Sequence, residues 1–168
     1  MISSQEARAK ATELVKDLTA PPVSVERIAK NLGIRIEYAP LDGELSGFAH
    51  IRDGASMIGV NSLHAAARQR FTIAHELGHI RLHQTELRAA VHVDKGSLRR
   101  DSISSEGSDP LEIQANAFAS ELLMPQHLLE SVLAGKLVDL EDDETIQSLA
   151  KRFKVSETAM RYRLQPKG

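Results

Sequence analysis

Cysteine and tryptophan are both absent from the 168 residues, and aromatic side chains make up only 4% of them. Without cysteine there is no disulfide framework, no thiol nucleophile and no thiolate metal site. Any bound metal must be held by histidine and carboxylates. The absence also agrees with a cytosolic protein. So few aromatics leave a core of Leu, Ile, Val and Ala, and a hydrophobic content of 42% is enough to build one. A net charge of −2 carries no global signal for nucleic acid or membrane surfaces. Met1 to Arg8 lacks the apolar run of a secretory leader, and no later run is long enough to span a bilayer. The expectation is a cytoplasmic protein with no membrane partner, built as one domain or one domain with a small appendage.

What the chain does contain is Phe71-Thr72-Ile73-Ala74-His75-Glu76-Leu77-Gly78-His79. Histidines four apart on a helix lie one turn and about 40° from each other, so both imidazoles can reach one metal ion. Glu76, beside the first histidine, is positioned to take a proton from a water that the metal activates. This is the H-E-x-x-H arrangement of zinc peptidases. Apolar and small residues precede the motif, so it reads as a buried helix carrying polar groups. Buried polar groups without partners are costly, which itself argues for a ligand.

Around the motif the chain reads as follows. Residues 4–18 carry a helical stripe of Ala11, Leu14, Val15 and Leu18, ended by Pro21-Pro22. A short helix from Val25 to Asn31 has Ser24 as cap and Gly33 as stop. Ile34 to Tyr38, Leu45 to Ile51 and Met57 to Val60 read as strands, the last two joined through Asp53-Gly54. Asn61 or Ser62 would cap the long helix that runs to about His83. From Leu87 to Asp109 periodicity disappears, which suggests either a mobile connector beside the site or a plain surface excursion. Pro110 opens an apolar helix, Leu111 to about Leu123, and Pro125 closes it. A short helix from Gln126 to Ala134 and an acidic stretch from Asp139 to Glu144 come next. Residues 145–164 then read as helix, turn, helix with Ser156 as a cap. The last pair is locally basic through Lys151, Arg152, Lys154, Arg161 and Arg163. That suits DNA binding, but equally a packed pair whose Leu149, Phe153, Val155, Met160 and Leu164 face a core. We take the packed reading first.

A catalytic zinc site usually has three protein ligands. His83 lies one turn past His79 on the same helix, where it cannot complete a tetrahedral set, so it reads as a neighbour of the ligands or as surface. His92 and Asp94 are possible ligands from the connector. Glu112 stands on an apolar helix with Ala115 and Ala119 near its face, and Asn116 one turn on could hydrogen-bond a ligand. Asp109, Pro110 and Glu112 equally fit a capping box. Spacing does not choose between those two roles for Glu112. Glu121 is an alternative projecting from another side of the helix.

Arg70 to His79, Glu112-Ile113-Gln114-Ala115-Asn116-Ala117-Phe118-Ala119 and Leu122-Leu123-Met124-Pro125 together closely resemble the ImmA/IrrE metallopeptidases. The likeness extends from Gly33 through Val60-Asn61 to Val155 to Met160 and Arg163-Leu164. It implies a zincin-like α+β fold with one catalytic Zn2+ held by His75, His79 and Glu112, and with Glu76 as general base. The expected architecture is a small three-stranded antiparallel sheet packed on helices that include the motif helix. It would form a peptidase domain over 1–138, with a helix-turn-helix-like extension over 139–168 packed on it. The extra C-terminal domain of some members is not expected in this chain. The resemblance also implies a regulatory endopeptidase whose substrate is a repressor carrying a DNA-binding helix-turn-helix. A partner-binding regulator with weak or conditional proteolysis is a second expectation. A DNA-binding regulator using residues 145–164 is a third, although net charge and the apolar demands of Leu149 and Met160 count against it.

Overall fold

The computed structural model describes residues 2–94 and 109–166. Serine and aspartate at Ser3, Ser24, Asp109, Asp142 and Ser156 each accept a hydrogen bond from the exposed backbone N–H groups of a helix start. The helices they open are α1 (Ser4–Val15), α2 (Val25–Asn31), α5 (Pro110–Leu123), α7 (Asp143–Phe153) and α8 (Glu157–Leu164). Between them lie α3 (Ala66–Leu82), α4 (Gln84–Ala89) and α6 (Gln126–Leu133). The first helix stops at Val15 rather than 18, and Leu18 is exposed.

Four strands are present among the described residues: β1 (Arg35–Ala39), β2 (Gly47–Arg52), β3 (Ala55–Asn61) and β4 (His92–Asp94). Asp53 and Gly54, at φ 51° and 76°, make the tight left-handed turn expected between β2 and β3. The sheet itself corrects the three-stranded antiparallel expectation. Its order is β1-β3-β2-β4, with β1 parallel to β3 (Ile36 beside Ile58) and β2 antiparallel to both β3 and β4. Alternation in a strand shows which side chains share a face; it does not encode which neighbour the strand pairs with. At three residues, β4 is too short to show a period, and it falls in the stretch read as a connector. The rest of that connector, 95–108, lies outside the described residues.

Asn61 does not cap α3, which starts after Ala65 without a side-chain cap. Its fully buried amide accepts from Leu41 N and Leu63 N and donates to Leu45 O, tying the β1–β2 connection to the end of β3.

The motif helix α3 lies between the sheet and α5, and α1 covers α5 in turn. All nine residues from Thr72 to Ile80 are buried. A helix enclosed on every side needs no polar face, which is why this one shows little amphipathic pattern. Ile73 and Leu77 are fully buried, and each such side chain contributes about 1.5–3 kcal/mol. At the α3–α5 crossing a Cβ on Gly78 would lie 3.3 Å from the Ala115 backbone. Glycine at 78 therefore sets how closely the two helices approach.

The C-terminal pair shares this core, with Ile146, Phe153 and Met160 fully buried. Arg70 of α3 donates to Lys154 O (3.0 Å), Val23 O (2.8 Å) and Phe153 O (3.2 Å). Arg163 is buried and donates to Met124 O and Glu121, each at 3.0 Å. Arg161 donates to Leu140 O and pairs with Asp143. Two of the five basic residues behind the DNA-binding reading, Arg161 and Arg163, are thus committed within the chain. No helix among the described residues is long and apolar enough to cross a membrane.

Candidate metal centre

His75, Glu76 and His79 come from the enclosed middle of α3, and Glu112 from the first turn of α5. Asp109 caps α5 by accepting from Leu111 N (3.0 Å), and Pro110 begins the helix. Glu112 therefore sits at the positive end of the helix, where a carboxylate is favoured. Its oxygens point away from the cap. Oε2 lies 2.9 Å from His75 Nε2, and Oε1 lies 3.2 Å from His79 Nε2 and 2.5 Å from His92 Nε2. The two α3 nitrogens, His75 Nε2 and His79 Nε2, are themselves 3.2 Å apart. His92, on β4, turns its other nitrogen to the Glu76 carboxylate at 2.9 and 3.0 Å.

The outward faces of the two α3 imidazoles are occupied. His75 Nδ1 donates to Asn116 Oδ1 at 2.8 Å. His79 Nδ1 faces His83 Nδ1 at 2.9 Å, and His83 Nε2 faces Gln114 Oε1 at 2.7 Å. Each ring thus has its Nδ1 engaged and its Nε2 directed at Glu112.

Burial and charge act in opposite directions here. Burial raises Glu112, but hydrogen bonds with His75, His79 and His92 outweigh it and hold the carboxyl well below the usual carboxylate range. Burial pushes His79 down to about 3 despite its bond to Glu112. His92 is lowered by burial, but its bonds to Glu112 and Glu76 carry it up to about 10. Burial raises Glu76 and outweighs the bond from His92. His75 is pulled down by burial, yet Glu112, Asp94 and Glu76 leave it raised.

This donor set fits a divalent ion. Nδ1–H donation outward leaves a lone pair on each Nε2, so two bare nitrogens and a carboxylate meet within about a hydrogen-bond length. Such a group is tolerated only if a cation or additional protons lie among them. In the metal-free protein protons meet that need, which is what the raised His75 and His92 express. One ligand atom from each of His75, His79, His92 and Glu112 lies within 4.8 Å of the others, and His75, Glu76 and Asp94 form a second such group.

A model of the Peptidase M78, IrrE N-terminal-like domain matches residues 29–165. The chain belongs to this family. Among curated relatives, the radiation response metalloprotease IrrE of Deinococcus radiodurans is 29% identical over 177 residues, covering 97% of this chain and 48% of IrrE. YqaB of Bacillus subtilis is 26% identical over 149 residues, covering 88% of this chain and 74% of YqaB. Among solved structures, a Mycobacterium tuberculosis transcriptional regulator superposes with a TM-score of 0.57 at 14% identity, covering 93% of this chain and 45% of the regulator. That superposition speaks to the fold. The chain spans about half the length of IrrE and of the regulator.

The site residues expected from sequence are gathered in one place. Glu121, the alternative to Glu112, is tied to Arg163 instead. Of the other side chains able to donate a hydrogen bond to a reacting oxygen, Tyr38 is exposed on β1, Tyr162 lines an apolar cavity with Phe71 and Met124, and His50 lines another beside Arg88. His92 alone of these is at the centre. His83 is neither a ligand in this geometry nor a surface residue; it is 4% exposed and backs His79. Gln114 was not singled out by sequence at all. Its only trace is its place in the block that begins at Glu112.

Proposed function

We propose that the chain is a zinc-dependent endopeptidase that cleaves a helix-turn-helix transcriptional repressor, or a similar regulatory protein, in the cytoplasm and so relieves repression. The observation that carries this reading is the convergence of His75 Nε2, His79 Nε2 and the Glu112 carboxylate, with Glu76 alongside. His75, His79 and Glu112 would hold the ion, a two-histidine, one-carboxylate set of the kind that leaves a position open for chemistry. When bound, the ion supplies Lewis acidity that brings a water toward pKa about 7 and polarises the scissile carbonyl.

Glu76 accepts a proton from the attacking water and returns it to the leaving amine. Its burial, which raises it above an ordinary glutamate, makes the carboxyl a better proton carrier near neutral pH. His92 is the residue we assign to the developing oxyanion, because it bridges the base and the third ligand. The substrate needs an extended segment, and β4 is the sheet edge nearest the site among the described residues. Strand β3 is paired with β1 on one edge and β2 on the other, and β2 is paired on both edges from Gly47 to Ala49. Within this reading, residues 1–138 make the peptidase unit and 139–168 an extension docked on it.

The test is to incubate the zinc-loaded protein with a candidate helix-turn-helix repressor and to identify fragments by mass. Glu76→Gln should bind zinc like the wild type and yield no fragments. Cleavage at wild-type rate by that variant would remove Glu76 from the mechanism, and no fragments from the wild type would favour the binding-only regulator.

A further inference from the structure

Behind His79 runs a chain of hydrogen bonds whose polarity can be read link by link. It begins at the Ile2 carbonyl, which can only accept, so the Gln114 amide nitrogen 2.7 Å away must be the donor. That fixes the orientation of the amide and turns Oε1, another pure acceptor, toward His83 Nε2 at 2.7 Å. His83 therefore carries its ring proton on Nε2. Its Nδ1 is left as a lone pair, 2.9 Å from His79 Nδ1. To make that contact a hydrogen bond, His79 must carry its own proton on Nδ1, which leaves its Nε2 bare and facing Glu112 and His75.

We infer that His83 and Gln114 are positioning residues of the metal centre: they hold His79 in the tautomer, and at the ring angle, in which Nε2 is free to ligate. The inference rests on the proposed role of His79 as a ligand. Three further observations support it. His83 and Gln114 are both nearly fully buried, at 4% exposure each, so water cannot supply the missing partners. They come from different helices, α4's leading edge and α5, so their contact is long-range and is not a by-product of one helix's repeat. Neither offers an atom to the cluster that converges on Glu112. If the acceptor at His83 were lost, the His79 proton would be free to move to Nε2, where Glu112 accepts it at 3.2 Å, and the nitrogen would be closed to metal.

The experiment is a zinc titration against a chromophoric chelator, with thermal melts of each metal-free variant as a folding control. His83→Leu should weaken zinc binding by about 10–100-fold, the usual cost of removing such a partner. His83→Asn keeps an acceptor near the Nδ1 position and should recover most of that loss. Gln114→Leu should weaken binding several-fold, while Gln114→Glu, which retains an acceptor for His83 but loses the donor to Ile2 O, should lose less than Gln114→Leu. Cobalt in place of zinc gives a second readout, its visible bands shifting in His83→Leu and returning in His83→Asn.

Equal zinc affinity in wild type and both leucine variants would overturn the inference and leave the metal centre standing. So would equal losses in His83→Leu and His83→Asn, since packing rather than the acceptor would then be at work. If His83→Leu does not fold, the two Gln114 variants decide the matter alone. Failure of the wild-type protein itself to bind zinc would instead overturn the proposed function.

Discussion

At position 112 the first turn of a helix and a cluster of imidazoles compete for one carboxylate. The cap is already served by Asp109, whose Oδ1 accepts from Leu111 N, and the Glu112 oxygens face His75, His79 and His92. The two roles predict different losses. With zinc bound through Glu112, Glu112→Ala should leave little metal per chain after dialysis, with only a modest change in the metal-free melt. If Glu112 served the cap, zinc content would be unchanged and stability would fall by about 0.5–2 kcal/mol. The histidine pair and Glu76 were legible because their spacing on one helix is a local property. Glu112 was legible only through the resemblance of its whole block, since spacing fitted a capping box equally well. His83 and Gln114 meet across 31 positions of sequence, and no periodicity reports such a pair.

Among elements, the decisive contact is the crossing of α3 and α5, because the histidines ride on one and Glu112 on the other. A Cβ at Gly78 would sit 3.1 Å from the Phe118 ring and 3.3 Å from the Ala115 backbone. The backbone there cannot turn aside as a side-chain tip could. Gly78→Leu should therefore part the helices, costing about 1–3 kcal/mol of overpacking and lowering zinc affinity together with stability. Denaturant melts and the chelator titration would check both, and wild-type affinity in a destabilised variant would show that the crossing does not gauge the site. Helix ends were legible element by element, through Ser24, Asp109, Pro110 and Ser156. Strand order was not: β1 meets β3 in parallel because the chain passes through β2 first, a fact about connections rather than about any one strand's residues.

Over the whole molecule, the half-buried Arg70 and the buried Arg163 hold the C-terminal helices to the rest of the fold. Arg70 reaches three carbonyl oxygens, on Val23, Phe153 and Lys154, from a helix that also bears His75 and His79. Hydrogen bonds from a charged donor are among the stronger ones, and removing this donor takes the partner from two part-buried acceptors, Val23 O and Phe153 O. Arg70→Met, which keeps the aliphatic stem, should cost roughly 2–4 kcal/mol in urea unfolding. A change below about 0.5 kcal/mol would mean that apolar contacts alone hold the helices. From sequence the basic character of residues 145–164, Arg163 included, suggested a nucleic-acid face. Arg163 instead meets Glu121 and the Met124 carbonyl inside the fold, partners 42 and 39 positions away.

The enclosure of α3 bears on how this protein can be dissected. From Thr72 to Ile80 no position faces solvent, so the residues that would carry out the chemistry and those that hold the molecule together occupy the same two and a half turns. A mutational survey of this stretch would read folding and activity as one number. Only changes that preserve shape, such as glutamate to glutamine at 76, can pull the two apart. The residues that back the ligands from α5, Gln114 and Asn116, offer a cleaner route, because they touch the site without belonging to the helix at its centre.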